Sequence, residues 1–309
     1  MLQQIGLVAS QVGTLFLMMG VGFLLAKLGR ITREGLSQMT GLLLSVVIPC
    51  LLVDSLQTER TPALLAAMGS AALVSALLYA AYCVLVIPLF PRQNPDTRAP
   101  LRFGVLYGNV GFMGLPLIAA VLGEDGMVYA TVIFVMFNLY NWSHGVVFMG
   151  GRENFSLRRT LLNPGIIATV LGLVFFFAGF TLPSMVGDAV SFLGSMNTPL
   201  AMVVIGAQMA WADLKATFRD GRLYAAAACK LIALPVFTAL VLLPFRLDPL
   251  LYSSLVILAA TPTGGTASMF AQQFGRDAVC GAQVITITTL LSIFTLPCCA
   301  VMARLLGGA

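Results

Sequence analysis

The sequence predicts an all-α polytopic membrane protein, with ten membrane-spanning helices arranged as two inverted five-helix repeats. Three observations carry this expectation. The 309 residues are 59% hydrophobic and only 9% charged, with a mean hydropathy of +0.96, whereas a soluble domain carries roughly 25% charged residues. Lysine and arginine alternate between successive loops, as a multi-pass chain requires. The two halves share weak similarity that includes matching runs of helix breakers inside apolar stretches.

A spanning helix needs about 20 mostly apolar residues. Such runs fall at about 7–28, 36–56, 63–89, 101–123, 126–149, 163–182, 189–211, 223–244, 250–274 and 278–303, each boundary carrying an error of about 2–4 residues. The decapeptide PRQNPDTRAP is the most loop-like stretch in the chain and separates the third and fourth spans. The first run lacks a basic leader and ends at Lys27 and Arg30, the opposite of a cleavable signal, so an uncleaved first span is expected.

The loops after spans 1, 3, 5, 7 and 9 hold Lys27, Arg30, Arg33, Arg92, Arg98, Arg102, Arg152, Arg158, Arg159, Lys215, Arg219, Arg222 and Arg276. The opposite side holds only Arg60, Arg246 and Arg304. By the positive-inside rule the basic loops are cytoplasmic and both termini lie outside, in a multi-pass inner-membrane topology. The net charge of +5 therefore concerns orientation, and nucleic acid is not an expected partner. The six cysteines lie in apolar segments without a C-x-x-C pair, so neither a disulfide framework nor a metal site is expected.

The repeat divides the chain into residues 1–150, a short linker at 151–162, and residues 163–309. Gly13, Gly20 and Phe23 align with Gly165, Gly172 and Phe175, and Pro49 aligns with Pro199. Gly108-Asn109-Val110-Gly111-Phe112-Met113-Gly114-Leu115-Pro116 aligns with Ala260-Thr261-Pro262-Thr263-Gly264-Gly265-Thr266-Ala267-Ser268. Five spans per half is an odd number, so the copies lie upside down relative to each other, the plan of secondary transporters whose site forms where two broken helices meet near mid-depth. Non-helical backbone is tolerated at that depth only where protein or a wet cavity satisfies it.

Two half-helix N-termini at one depth suit an anion. The expected binding residues are Gly108, Asn109, Gly111 and Pro116 on one side. Thr261, Pro262, Thr263, Gly264, Thr266 and Ser268 are expected on the other, with Asn109, the threonines and Ser268 adding side-chain donors. The competing reading of the first stretch is a packing face, because small residues recur every third position. Lys230 lies about 12 Å inside span 8 at 1.5 Å per residue, and is either an internal fixed cation or a snorkelling side chain. Asn138, Asn141 and His144 drift along one face of span 5 and are candidates for a polar path. Pro49, Asn197 and Pro199, in the second span of each half, are candidates for lining it. No metalloprotease, hydrolase or nucleotide-binding signature occurs, and no cofactor is expected.

The runs YGNVGFMGLPLIAAVLG, LLNPGIIATVLGLVFF and ATPTGGTASMFAQQFGRDA resemble the auxin efflux carrier family, especially its short bacterial members, over essentially the whole chain. The resemblance implies a bile-acid-symporter-like, elevator-type fold. Spans 1, 2, 6 and 7 would form a scaffold, and spans 3–5 and 8–10 a moving transport domain in which helices 4 and 9 cross. It also implies a carrier of small organic anions such as mono- or dicarboxylates, with Asn109 and Pro116 in the first crossing helix and Pro262 in the second. Plant relatives have proline where this chain has Gly108 and Ala267, and a long central insert that this chain lacks. The expected partners are a small organic anion and the lipid bilayer, with a coupling H⁺ or Na⁺ and a homodimer left open. An intramembrane enzyme or sensor using the same cavity without translocation is the alternative. It would need paired catalytic groups, where the chain offers Lys230, His144 and neutral amides.

Overall fold

The computed structural model describes residues 2–57, 61–151, 158, 161–162, 164–211 and 214–307. Arg60, Arg152, Arg159, Asn163 and most of the 151–162 linker lie outside the described residues. The described chain is helical throughout: α1 (Leu2–Lys27), α2 (Arg33–Leu42), α3 (Ile48–Asp54), α4 (Pro62–Leu85), α5 (Pro95–Leu106), α6 (Leu115–Trp142), α7 (His144–Gly150) and α8 (Pro164–Ala178). The second half continues with α9 (Ser184–Ser195), α10 (Asn197–Ala210), α11 (Leu214–Arg219), α12 (Gly221–Ala228), α13 (Leu234–Leu242), α14 (Pro249–Ala259), α15 (Thr266–Gln273) and α16 (Ala278–Gly307).

Six helical runs among the described residues are long and apolar enough to cross a membrane: Arg33–Asp54, Leu65–Leu85, Val110–Gly150, Ser184–Ala210, Gly221–Phe245 and Ala278–Gly307. Gly13–Lys27, Pro164–Ala178 and Pro249–Ala259 are shorter apolar helices. The 41-residue run Val110–Gly150 is too long for one crossing of a ~30 Å core at 1.5 Å per residue. It turns at Gly123, whose φ of 69° and ψ of −161° are non-helical. Outward-facing Leu17, Leu73, Leu77, Met185, Phe192 and Phe294 are largely exposed. In water such a surface would associate; in a bilayer it is the solvent-facing side.

Three spans carry the same local device. A π-turn occupies Leu43–Val47, Val110–Gly114 and Cys229–Ala233, and in each case the second residue after it is a proline, Pro49, Pro116 or Pro235. A proline inside an α-helix has no N–H to give and its ring collides with the carbonyl four residues back. Widening the preceding turn relieves the collision while the helix continues, and such bulges recur at functional sites.

The structure departs from the sequence reading at several boundaries. Six of the ten residues of the loop-like PRQNPDTRAP are helical, because the Asn94 side chain caps α5 by accepting from the Thr97 N–H at 2.8 Å and Pro95 and Asp96 occupy its first turn. Span 7 begins earlier than expected and is interrupted at Met196, between α9 and α10. Thr266 and Ser268 are helical residues of α15, not part of the break.

Two groups of contacts stand out, and they meet where α1 packs on α16 and α10 on the Val110–Gly114 turn. α1 lies along α10, and α3 is flanked by α8 and α9. α14 packs on α6 and α16, and α16 also packs on α5 and α15. The α1–α10 crossing is backbone against backbone: a Cβ on Gly22 would fall on the Val203 carbonyl, and one on Gly206 on the Met19 carbonyl. Without a hydrophobic drive between helices in lipid, such close approach is a main source of association. Gly22→Leu or Gly206→Leu is expected to destabilise the protein by about 1–3 kcal/mol or more, seen as a lower unfolding temperature in detergent. Gly41→Ala, whose Cβ meets nothing within 4 Å, should leave that temperature unchanged.

Candidate functional site at the helix crossing

The first break follows from residues 107–116. After α5, Tyr107 is extended (φ −103°, ψ 109°) and Asn109 leaves the helical region (φ −82°, ψ 61°). The π-turn then restarts the helix, with the Leu115 N–H reaching back to the Val110 carbonyl. The second break follows α14, which begins at an Asp248 cap accepting from Leu250 and Leu251. It ends at Ala259, and helix resumes only at Thr266.

These two breaks meet. Gly108 and Thr263 form an isolated antiparallel bridge: the Asn109 N–H donates to the Pro262 carbonyl at 2.6 Å and the Gly264 N–H to the Tyr107 carbonyl at 3.0 Å. Each break thus satisfies backbone groups that its partner's helix cannot. The approach leaves no room for side chains. A Cβ on Gly108 would collide with Thr261 Oγ1 and stand 3.0 Å from Lys230 Nζ, and one on Gly264 would stand 2.8 Å from the Gly108 carbonyl oxygen. Gly111 and Gly114 are also packed, against Phe134 and Leu258, so the packing reading and the helix-break reading hold together.

Around the crossing the hydroxyl groups are engaged by protein. Thr261 Oγ1 donates to the Leu258 carbonyl (2.7 Å), Thr263 Oγ1 to that of Gly104 (2.7 Å), Thr266 Oγ1 to Asn141 Oδ1 (3.3 Å), and Ser268 Oγ to the Ala278 carbonyl (3.4 Å). The Thr263 N–H donates to Thr288 Oγ1 at 3.1 Å. Asn109 Oδ1 accepts from the Phe112 N–H at 3.3 Å and caps the restarted helix. Asn141 is 1% exposed and its Nδ2 has no partner among the described residues. Its Oδ1 faces Thr266, the first residue of α15, so an unmet amide donor stands beside a helix N-terminus.

Lys230 is 2% exposed, and its Nζ donates to the Ala259 carbonyl at 3.2 Å. The amino group therefore sits at the C-terminal, electronegative end of α14 and against Gly108, with no carboxylate partner among the described residues. It does not snorkel to an interface. Asn138 Nδ2 donates to the Phe134 carbonyl at 3.0 Å. Pro49 follows its π-turn beside the crossing, where Ile48 Cδ1 stands 3.4 Å from a Cβ on Gly111. Asn197 and Pro199 open α10 after the Met196 interruption, and α10 packs on the Val110–Gly114 turn.

Sequence reading passed over Tyr107. Its hydroxyl donates to the Tyr140 carbonyl at 2.9 Å and lies 2.9 Å from His144 Nδ1. One phenolic hydrogen serves one acceptor, so both bonds form together only if Nδ1 carries a proton and donates to the tyrosine. Tyr107 also packs on Phe103 (4.6 Å between centroids), which meets Phe270 edge-on at 5.6 Å. Each such contact adds about 0.5–1.5 kcal/mol, and this cluster ties the first break to α15. The usable signal was an aromatic residue placed directly before the glycine of a helix break.

The profile of the family described as membrane transport protein matches residues 7–155 and, a second time, residues 152–300. The chain belongs to this family, the auxin efflux carriers. A Rhizobium meliloti (strain 1021) protein provisionally named a malonate transporter is 28% identical over 308 residues, covering 94% of this chain and 92% of that one. An uncharacterized transporter of Methanothermobacter thermautotrophicus is 24% identical over 292 residues, covering 90% and 92%. A third relative, an uncharacterized transporter of Methanocaldococcus jannaschii, is 29% identical over 118 residues, covering 36% and 38%. This auxin efflux carrier family member is thus a multi-pass membrane transporter and not an enzyme.

A cleft of about 250 Å³ lined by Leu56, Met68, Val132, Thr169, Leu173 and Phe177 lies away from the crossing. Its walls are apolar and suit hydrocarbon, not an anion. His144 is the single histidine of the chain, so its imidazole is resolvable by ¹⁵N NMR of histidine-labelled protein. The expected spectrum is the Nδ1–H tautomer, converting to a different tautomer mixture in Tyr107→Phe.

Proposed function

We propose that this transporter is a secondary carrier of a small organic anion, working by alternating access around the crossing of its fourth and ninth spans. The carrying observation is the Gly108–Thr263 bridge with the unmet Asn141 amide beside it. Ten spans follow when the run Val110–Gly150 is divided at Gly123 and the two half-helices at each crossing break are counted as one span. The doubled match of the family profile supports two repeats, at 1–150 and 163–309, joined by the 151–162 linker. The basic loops support an inner-membrane orientation with both termini outside. The packing of α1 along α10 and of α3 between α8 and α9 supports a scaffold of spans 1, 2, 6 and 7, against which spans 3–5 and 8–10 move.

The electrostatics favour a single negative charge. Each helix end carries about half an elementary charge. α5 and α14 end at the crossing, contributing together about −1, and Lys230, hydrogen-bonded to the last carbonyl of α14, offsets it. The two restarted helices begin there and contribute about +1, directed at the ligand by Gly111, Pro116 and the Asn109 cap on one side and by Pro262, Gly264 and Thr266 on the other. Asn141 supplies a side-chain donor. Thr261, Thr263 and Ser268 hold the crossing together, and Asn138 and His144 continue the polar face of α6 and α7. Lys230 serves as a fixed internal cation in the place a coupling Na⁺ would otherwise take. The malonate in the name of the Rhizobium meliloti relative supports a short dicarboxylate as substrate.

Three expected outcomes test this in proteoliposomes. Asn109→Ala combined with Thr263→Ala should lower saturable malonate flux by about 100-fold, and Asn141→Leu by about 10-fold, the loss of one hydrogen bond to a charged group. Unchanged flux in both would put the site elsewhere. Lys230→Met should abolish flux while the protein still reaches the membrane; uptake and pH dependence equal to wild type would remove the lysine from the mechanism.

A further inference from the structure

Asn197 is the least explained polar residue in the protein. It is 2% exposed, and neither its Oδ1 nor its Nδ2 has a partner among the described residues. Leaving both a donor and an acceptor unmet at membrane depth is costly. Asn197 is the fourteenth residue of the 27-residue run Ser184–Ala210, so it stands at the middle of its span, where the helix is interrupted at Met196. The helix it opens, α10, packs on two of the three π-turns, Leu43–Val47 and Val110–Gly114. The second of these is the restarted half-helix proposed to face the anion.

An amide edge offers one acceptor and one donor side by side. A carboxylate meets only the donor and sets its second oxygen against Oδ1. A carboxylic acid meets both, its O–H donating to Oδ1 and its carbonyl accepting from Nδ2. No ionised side chain of the packed elements competes at this depth. α1 brings Lys27, and α2 brings Arg33 and Glu34, at the basic-loop end. α9 brings Asp188 and α6 brings Glu124 and Asp125 at the opposite end, with Tyr129 and Tyr140 further along α6 as neutral phenols. The two π-turns bring none, and on α3 Cys50 is a thiol and Asp54 lies at the far end.

We propose that Asn197 reads the protonation state of the substrate, so that a dicarboxylate is carried in its singly ionised form. The ionised carboxylate lies at the crossing, and the second carboxyl, still protonated, pairs with the Asn197 amide. This rests on the anion reading of the crossing and agrees with its surplus of about one positive charge. The proton enters on the substrate from water at one face and is released with it to water at the other. Proton coupling then needs no titrating group in the protein.

The experiment compares three probes in proteoliposomes: malonate, its monoamide and its monomethyl ester. Both derivatives carry one carboxylate; the amide keeps an N–H donor in place of the acid O–H, and the ester has none. Above the second ionisation of malonate its uptake is expected to fall about tenfold per pH unit, while monoamide uptake stays flat. The monoamide should be preferred over the ester by about tenfold, and the preference should fall to about one in Asn197→Leu and Asn197→Ala. A wild-type ratio near one, or malonate uptake that follows the dianion, overturns the proposal, and so does a preference that survives in either variant. If neither variant is recovered folded, the wild-type ratio and pH profile decide. Should Asn109→Ala with Thr263→Ala leave uptake of all three probes intact, the anion site itself is misplaced. If that variant abolishes all three while the wild-type ratio is near one, only the role of Asn197 fails.

Discussion

The structure depends on one constraint: a peptide group inside hydrocarbon must find its hydrogen-bond partner within the protein. Two helices of this chain break that rule locally, and each repairs the other. The Asn109 N–H and the Gly264 N–H cross between the breaks to the carbonyls of Pro262 and Tyr107, so the non-helical segments form a minimal two-stranded contact. Everything near it is arranged to permit that contact, from the bare faces of Gly108 and Gly264 to the Thr263 hydroxyl tied to Gly104.

Mutual repair leaves a polarised centre. Helices that stop at the crossing present carbonyl ends, and helices that restart there present N–H ends. Lys230 is held against one carbonyl end by its bond to Ala259, which explains how a lysine stays buried without a carboxylate. The restarted ends are left with unmet amide donors near them, Asn141 above all. In the proposed carrier, partial charges on backbone ends would attract the anion without the tight, slowly released grip of an unshielded ion pair.

Prolines and π-turns add a second layer. Pro49, Pro116 and Pro235 each follow a widened turn; one of those turns, Val110–Gly114, restarts the helix at the crossing, and another, Cys229–Ala233, contains Lys230.

The apolar runs, the basic loops and the two helix-breaking stretches were legible because they express chain-local physics: transfer of apolar length into lipid, the cost of charge there, and the conformational limits of Gly and Pro. The start of α5 was misplaced because a side-chain cap at Asn94 converts a loop-like composition into a helix. Asn141 and Asn197 stand out in the sequence as polar residues inside spans while Tyr107 looks ordinary, but which of their atoms are met is hidden there, since that depends on neighbours distant in sequence. The sequence by itself determined that helices of this membrane protein must break near Gly108 and near Pro262, though not that the second resumes at Thr266. Only the tertiary structure decided that the breaks bond to each other, that Lys230 caps one of them, and which amides stay unpaired, because hydrogen bonds between residues some 125–160 positions apart, such as Thr266–Asn141 and Thr263–Gly104, are set by packing and not by local propensity.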